Sequence, residues 1–441
     1  MKRRAWLAGM FSVLLWASPT MADNRFIVRS SLPSDVLEVF CVLQGCSVVG
    51  TLDGTLNHVF LLTTPSFVDA TTFLEALRNT PGILDAELDE LITLVGGLNT
   101  VTTPPPGLTD NVPINYFGTT VWNGYARQPA SKIVQVHNAQ HTFHVAGTGI
   151  VADIDTGVDP NHPALKSVLL SGYDFTRNQP GGSEMTDFNS PAPPPCPNCQ
   201  PAIVNQSTAA VLDQSTAAVL DGNFQYAAFG HGTMVMGVIH LVAPRAQLLP
   251  LKAFHSDGTG YLSDVLRAIY YAVQNNANVI NMSFDFTTAS TELAKALDYA
   301  NQSNVICVAS AGNDGQGPPL LVYPAALQAD VMGVASTSDL DTRSTFSNYG
   351  DQIVWVAAPG EAIVTTYPFS TYSAGWGTSF SAPFVSGGAA LLRSLRSDIN
   401  QSMAASALAN AKYIGPDMGN GRLDLYTALA SLPVGSGLQD Q

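Results

Sequence analysis

Two periods of hydrophobic patterning run along this chain, and they alternate in a regular order. Between residues 23 and 96, Arg25–Arg29, Cys46–Gly50, His58–Leu62 and Asp89–Val95 are short apolar-rich runs of strand type, while Pro33–Leu43 and Val68–Arg78 space their apolar residues as a helix does. The order β-α-β-β-α-β predicts a small α+β, ferredoxin-like unit with two helices on one sheet. From Gly149 the pattern is a strand to Asp155, a helix at Met234–Leu241, a strand at Gln247–Phe254 and a helix carrying Leu262, Val265, Leu266, Ile269 and Val273. A strand at Val279–Ser283, a helix at Thr291–Gln302 and a strand around Cys307 continue the alternation. Strands separated by helices predict an α/β domain, a parallel sheet with helices on both faces.

Two stretches interrupt the pattern. Residues 98–113 are rich in Thr, Pro and Gly and read as an exposed linker suited to proteolysis. Between Gln179 and Gly222 lie Pro180-Gly181-Gly182, Pro193-Pro194-Pro195-Cys196 and an octapeptide, Gln206–Asp213, repeated as Gln214–Asp221. Two copies are too few for a solenoid, so the insert reads as a surface loop. The chain thus divides into residues 1–22, 23–96, a linker 97–118 and a large domain 119–435.

Composition refines this outline. With 46% hydrophobic and 12% charged residues in 441, the chain buries a sizeable core. A net charge of −15 argues against nucleic acid or an anionic membrane as partner, since both require a basic footprint. Lys2, Arg3 and Arg4 precede an apolar run from Ala5 to Trp16 and small residues ending at Ala22, the layout of a secretory signal peptide. A secreted protein, extracellular or periplasmic and free of the membrane after cleavage, is expected. Of five cysteines, Cys41 and Cys46 lie close together, Cys196 and Cys199 share a Pro-rich loop without further His or Cys ligands for a metal, and Cys307 falls in a core strand.

The candidate chemistry lies in three motifs, Asp155-Thr156-Gly157, His231-Gly232-Thr233 and Gly377-Thr378-Ser379-Phe380-Ser381-Ala382-Pro383. A serine hydroxyl needs a base within reach and a third group to hold that base, and Ser379, His231 and Asp155 supply these parts. A second Asp-Thr/Ser-Gly, which an aspartic protease requires, is missing, and Gly-x-Ser-x-Ser is not the Gly-x-Ser-x-Gly elbow of lipases. The chain order Asp, His, Ser is that of subtilisin. With Val279–Ser283, Tyr323-Pro324, Ser344–Gly350, Ala358-Pro359-Gly360 and Gly419–Asp424 as further matches, residues 119–428 resemble the subtilisin-like serine peptidases.

That resemblance implies a serine endopeptidase acting on polypeptides through an acyl-enzyme, made as a self-processing zymogen with residues 23–96 as its inhibitory propeptide. It implies Asn313, in Ser310-Ala311-Gly312-Asn313, as the side-chain oxyanion donor. It also implies a substrate pocket walled by Ser283-Phe284-Asp285 and by the segment carrying Gly312, with Val322 at its floor. A valine where glycine often stands predicts a shallow pocket, preferring small or medium apolar residues. No metal and no cofactor are expected, and a monomer is; in particular, the helix after His231 leaves no room for the calcium loop of many relatives. A catalytically silent binding protein is the alternative. Departures from the pattern are Met234 and Met236, which should face the helix packing, and Asp153, whose i, i+2 relation puts its carboxyl on the face of Asp155. Two close carboxyls raise one pKa, whereas a solvated or hydrogen-bonded Asp at a strand end would be the plainer reading.

Overall fold

A computed structural model describes residues 23–94, 104–188, 202–204, 209–211 and 226–432. Residues 1–22, read as a signal peptide, and the Cys196, Cys199 pair lie outside them.

The N-terminal unit follows the expected order: β1 (Asn24–Ser30), α1 (Ser34–Gln44), β2 (Ser47–Thr51), β3 (Val59–Thr64), α2 (Ala70–Arg78) and β4 (Ile83–Leu88). Its antiparallel sheet runs β2-β3-β1-β4. Alternation along the central strands explains why it is apolar on both faces. Phe26, Val28, Phe60 and Leu62 pack with Leu37, Phe73 and Leu77 of the unit's own helices. Ile27, Val59 and Leu61 face the other way and join the core of the large domain. A disulfide links Cys41 to Cys46 at the end of α1.

One expectation fails here. The fourth strand is Ile83–Leu88, not Asp89–Val95. Its charged residues hid it: Asp85 and Glu87 are partly buried and bond to Lys295 and to Ser290 and Thr291 of the large domain. Within the expected run only Leu91–Thr93 (β5) is a strand, and it leaves the sheet to pair elsewhere.

The part of the stretch read as linker that is described, from residue 104, is built into the large domain. Pro106–Thr109 forms a 3-10 turn, Pro113–Tyr116 and Thr119–Trp122 form a hairpin, and Leu108 and Tyr116 enter the core of the large domain.

In the large domain, β6 (Ile150–Asp155), β7 (Tyr173–Asp174), β8 (Gln179–Pro180), β9 (Gln247–Lys252), β11 (Val279–Met282), β12 (Ile306–Ser310), β13 (Met332–Thr337) and β14 (Val356–Pro359) make one sheet, ordered β8-β7-β9-β6-β11-β12-β13-β14. Only β8 is antiparallel to its neighbour. The strand β10 (Thr259–Tyr261) lies between β9 and α4 (Leu262–Gln274). Helices α3 (His231–Val242) and α6 (Thr378–Leu395) lie against each other on one face, and α4 and α5 (Thr291–Gln302) cover the other. Along β6, Val151 joins the first core and Ala152 and Ile154 the second. The strands β15 (Ile363–Tyr367) and β16 (Thr371–Gly375) form a second sheet with Ala202–Val204 and Ala209–Val211.

The insert is therefore not wholly a surface loop. Gln179–Pro180 pairs with the main sheet, and Glu184 and Asp187 are buried. Most of the octapeptide repeat lies outside the described residues.

Candidate active site

The three motifs converge because each ends or begins an element at the carboxyl edge of the parallel sheet, where open α/β folds place their sites. Asp155 is the last residue of β6. Gly157 turns the chain away with φ of 99°, a left-handed conformation that glycine adopts without strain. Gly230, at φ 90°, starts α3, so that His231 occupies its first turn, and Gly377 precedes α6, which carries Ser379 in its first turn. Both Asp155 oxygens lie 2.8 Å from His231 Nδ1. The imidazole is held on one side, and its Nε2 edge is left for proton transfer. His231 packs beside Phe380, the residue after the serine, with ring centroids 5.8 Å apart. The Ser379 hydroxyl donates to Ser283 O at 3.0 Å, and rotation about Cα–Cβ is what would turn it toward the imidazole.

Burial disfavours the imidazolium, but the Asp155 charge and hydrogen bond outweigh it, with Glu184 adding, and His231 ends above its ordinary value. Asn313 is oriented by helix α6: its Oδ1 accepts from Thr378 N at 2.8 Å and from Thr378 Oγ1 at 3.0 Å. Asn313 is thereby fixed to Thr378 in the first turn of α6, one residue from Ser379.

Segments 283–285 and 310–313 lie side by side next to the serine. Ser283 Oγ donates to Ser379 O at 3.0 Å, Ser310 Oγ to Phe284 O at 3.2 Å and Gly312 N to Thr378 Oγ1 at 3.2 Å. Phe286 and Tyr323 close the far side through reciprocal backbone bonds of 3.0 and 2.8 Å. Val322 is fully buried there.

Asp153 is neither solvated nor at a strand end. It lies mid-strand and buried, and its Oδ1 accepts from Asn281 Nδ2 at 2.9 Å, while Oδ2 has no partner among the described residues. Burial, then the neighbouring Asp155 charge, push its carboxyl far above the usual range. Asn281 passes the connection on, accepting from Ser386 Oγ at 2.7 Å and donating to Ser283 Oγ at 2.9 Å. Met234 and Met236 are buried in the core, as their helix positions predict.

Three residues that sequence reasoning missed hold this arrangement. Glu184, fully buried, accepts from Thr156 Oγ1 at 2.9 Å, from Gly230 N at 2.8 Å and from Thr233 Oγ1, tying the aspartate turn to the start of the histidine helix. Burial is the largest influence on it and pushes it up to about 7, against the three hydrogen bonds. Lys252, also fully buried, donates to Thr156 O at 3.0 Å and to Phe254 O at 2.6 Å, and pairs with Asp187 at 2.7 Å. A lysine ending an apolar strand and a Gly-Gly-Ser-Glu run inside a Pro-rich insert were the signals present.

Among the described residues no group of three or more His, Cys, Asp or Glu side chains could hold a metal ion. Asp174 is bonded to Thr176 Oγ1 and, through both oxygens, to Arg177.

A buried Asp–His pair beside a serine at a helix start, on the carboxyl edge of a parallel sheet, defines a serine hydrolase, and likeness to known proteins makes it a serine-type endopeptidase. The comparisons give its lineage. Residues 136–427 match the Subtilase family, and the chain belongs to it. It is 32% identical over 310 residues to thermitase of Thermoactinomyces vulgaris, covering 69% of this chain and 96% of that protein. It is also 32% identical over 279 residues to the major intracellular serine protease of Bacillus subtilis (strain 168), covering 60% and 74% respectively. A crystal structure of a lanthipeptide protease superposes with a TM-score of 0.55 at 22% identity, over 69% of this chain and 94% of that one, a likeness of fold.

Proposed function

We propose that this endopeptidase is exported as a zymogen and cleaves peptide bonds through an acyl-enzyme on Ser379. His231 takes the serine proton and returns it to the leaving amine, Asp155 fixes the imidazole and stabilises the imidazolium, and Asn313 with the Ser379 N–H holds the oxyanion. Segments 283–285 and 310–313, with Val322 behind them, form the pocket for the residue on the acyl side of the scissile bond. The observation that carries the catalytic part is the 2.8 Å Asp155–His231 contact beside the first turn of α6.

The zymogen reading is supported by how the N-terminal unit is seated. Asp89 accepts from Ser263 N at 2.8 Å at the start of α4, and Glu87 from Thr291 N at 3.0 Å at the start of α5, so carboxylates meet the positive ends of two helices. Arg29 pairs with Glu292 at 2.6 Å and Lys295 with Asp85 at 2.9 Å. Then β5 pairs antiparallel with β10, and Leu94 N donates to Gly258 O at 2.9 Å, an added strand such as an extended peptide substrate would form. That edge adjoins the site, because Phe254 N donates to Asp155 O at 3.2 Å and the Phe254 ring lies 5.1 Å from that of Phe284.

Self-processing is tested by the size of secreted Ser379→Ala protein. It should keep the N-terminal unit covalently attached, whereas wild type loses it. Mature-sized Ser379→Ala protein would mean that another protease does the cutting.

A further inference from the structure

The wall segment 283–285 ends in a charge. Asp285 is half-buried, and its carboxylate reaches across to the opposite wall: a methyl group built on Gly312 would come within 2.9 Å of Asp285 Oδ2. Gly312, with φ of 91°, brings no side chain of its own to the opposing wall, and the amide nearest to that methyl position, Asn348 Nδ2, donates to Asp314 rather than to Asp285. Among the described residues Asp285 has neither a salt-bridge partner nor a side-chain hydrogen bond. Nearby Asp314 has one, from Asn348 Nδ2 at 3.2 Å, and no cation. Burial, then the Asp314 charge, push Asp285 up to about 7, the mark of a carboxylate short of positive charge. Val322, beside the Phe286–Tyr323 bridge, is fully buried and uncharged, so Asp285 is the charged residue of segments 283–285 and 310–313.

We infer that Asp285 is a specificity-determining residue that selects lysine or arginine on the acyl side of the scissile bond. This rests on the reading of segments 283–285 and 310–313 as the walls of that pocket. An apolar side chain entering the slot would strip water from the Asp285 carboxylate and return nothing, while an ammonium or guanidinium would replace that water with a charge-assisted hydrogen bond. A pocket built for a polar group rejects substrates that leave it unpaired more strongly than an apolar pocket rejects a missing methylene. The expected preference for small apolar residues is thereby replaced, with valine setting the depth and aspartate setting the charge.

The test uses processed wild-type enzyme and four peptides that differ only in having Arg, Lys, Leu or Ala at the acyl-side position. Wild type should cleave the Arg and Lys peptides with kcat/KM at least about 10-fold above Leu, the lower end of what leaving a buried polar group unpaired costs. Asp285→Asn should bring that ratio to one or below. Benzamidine, a planar amidinium, supplies a readout that needs no variant, since it should inhibit hydrolysis of the Ala peptide competitively. Cleavage of Leu ahead of Arg and Lys by wild type, an unchanged ratio in Asp285→Asn, or indifference to benzamidine would each overturn the inference and leave the peptidase intact. Failure of processed protein to cut any of the four would overturn the peptidase reading of the site, and the inference with it.

Discussion

Directly behind the proposed triad, Asp153 presents a second carboxyl whose Oδ2 has no partner among the described residues. Its folded pKa is raised, so the folded protein keeps a proton that the unfolded chain gives up near the ordinary carboxylate pKa. The contribution to stability is therefore greatest at acid pH and is lost as pH rises toward the folded value. Asp153→Asn in a Ser379→Ala background should flatten the fall of Tm between pH 5 and pH 9; parallel curves for the two proteins would refute this. For His231 the sign matters to activity. Its neutral form is the base, and its pKa lies above the ordinary value, so the acid limb of kcat/KM should have its midpoint above 6.5. Asp155→Asn removes the charge and leaves the burial, which should cut kcat by about 10⁴-fold. The limb should also move to lower pH, as a pH–rate profile of the residual activity would show.

At the scale of elements, the site depends on a junction between the end of β6, the start of α3 and the end of β9. Lys252 and Glu184 fasten that junction from two sides of Thr156. Replacing one member of such a buried charged network leaves the others uncompensated, at a cost of about 3 to 5 kcal/mol. Lys252→Met should therefore lower the Tm of the Ser379→Ala protein by more than about 5 °C, given the few degrees per kcal/mol of a domain this large. A shift under 2 °C would show the network to be dispensable. The strands that end in Asp155, Met282 and Ser310 were legible in the sequence because their apolar runs are buried on both faces of a parallel sheet. The same logic hid β4, whose alternate residues are charged and face another part of the molecule. Glu184 was illegible for a related reason: its value comes from Thr156, Gly230 and Thr233, contacts that only the tertiary fold brings to it. Asp155, His231 and Ser379 could be read because motif and chain order carry the chemistry; the resemblance also set Asp285 and Gly312 on facing walls, but that the Asp285 carboxylate lies against Gly312 without a partner among the described residues depends on side-chain placement that sequence does not carry.

Across the whole molecule, the N-terminal unit offers one apolar sheet face to its own helices and the other to α4 and α5, and its carboxylates cap those two helices. Metal is expected to add little to this assembly. Helix α3 runs unbroken from His231 to Val242, and Asp174 is committed to Arg177. Calcium needs about 6 to 8 oxygen ligands, so EDTA should shift the Tm of Ser379→Ala protein by less than about 5 °C. A larger drop would reveal an ion-binding site. The central claim, that Asp155 and His231 activate Ser379 as a nucleophile, is tested most directly by treating the processed protein with a fluorophosphonate and locating the adduct by mass spectrometry. A single adduct on Ser379, absent from folded His231→Ala protein, is the predicted result; folded, processed wild type that stays unlabelled, or that is labelled at another residue, would contradict it.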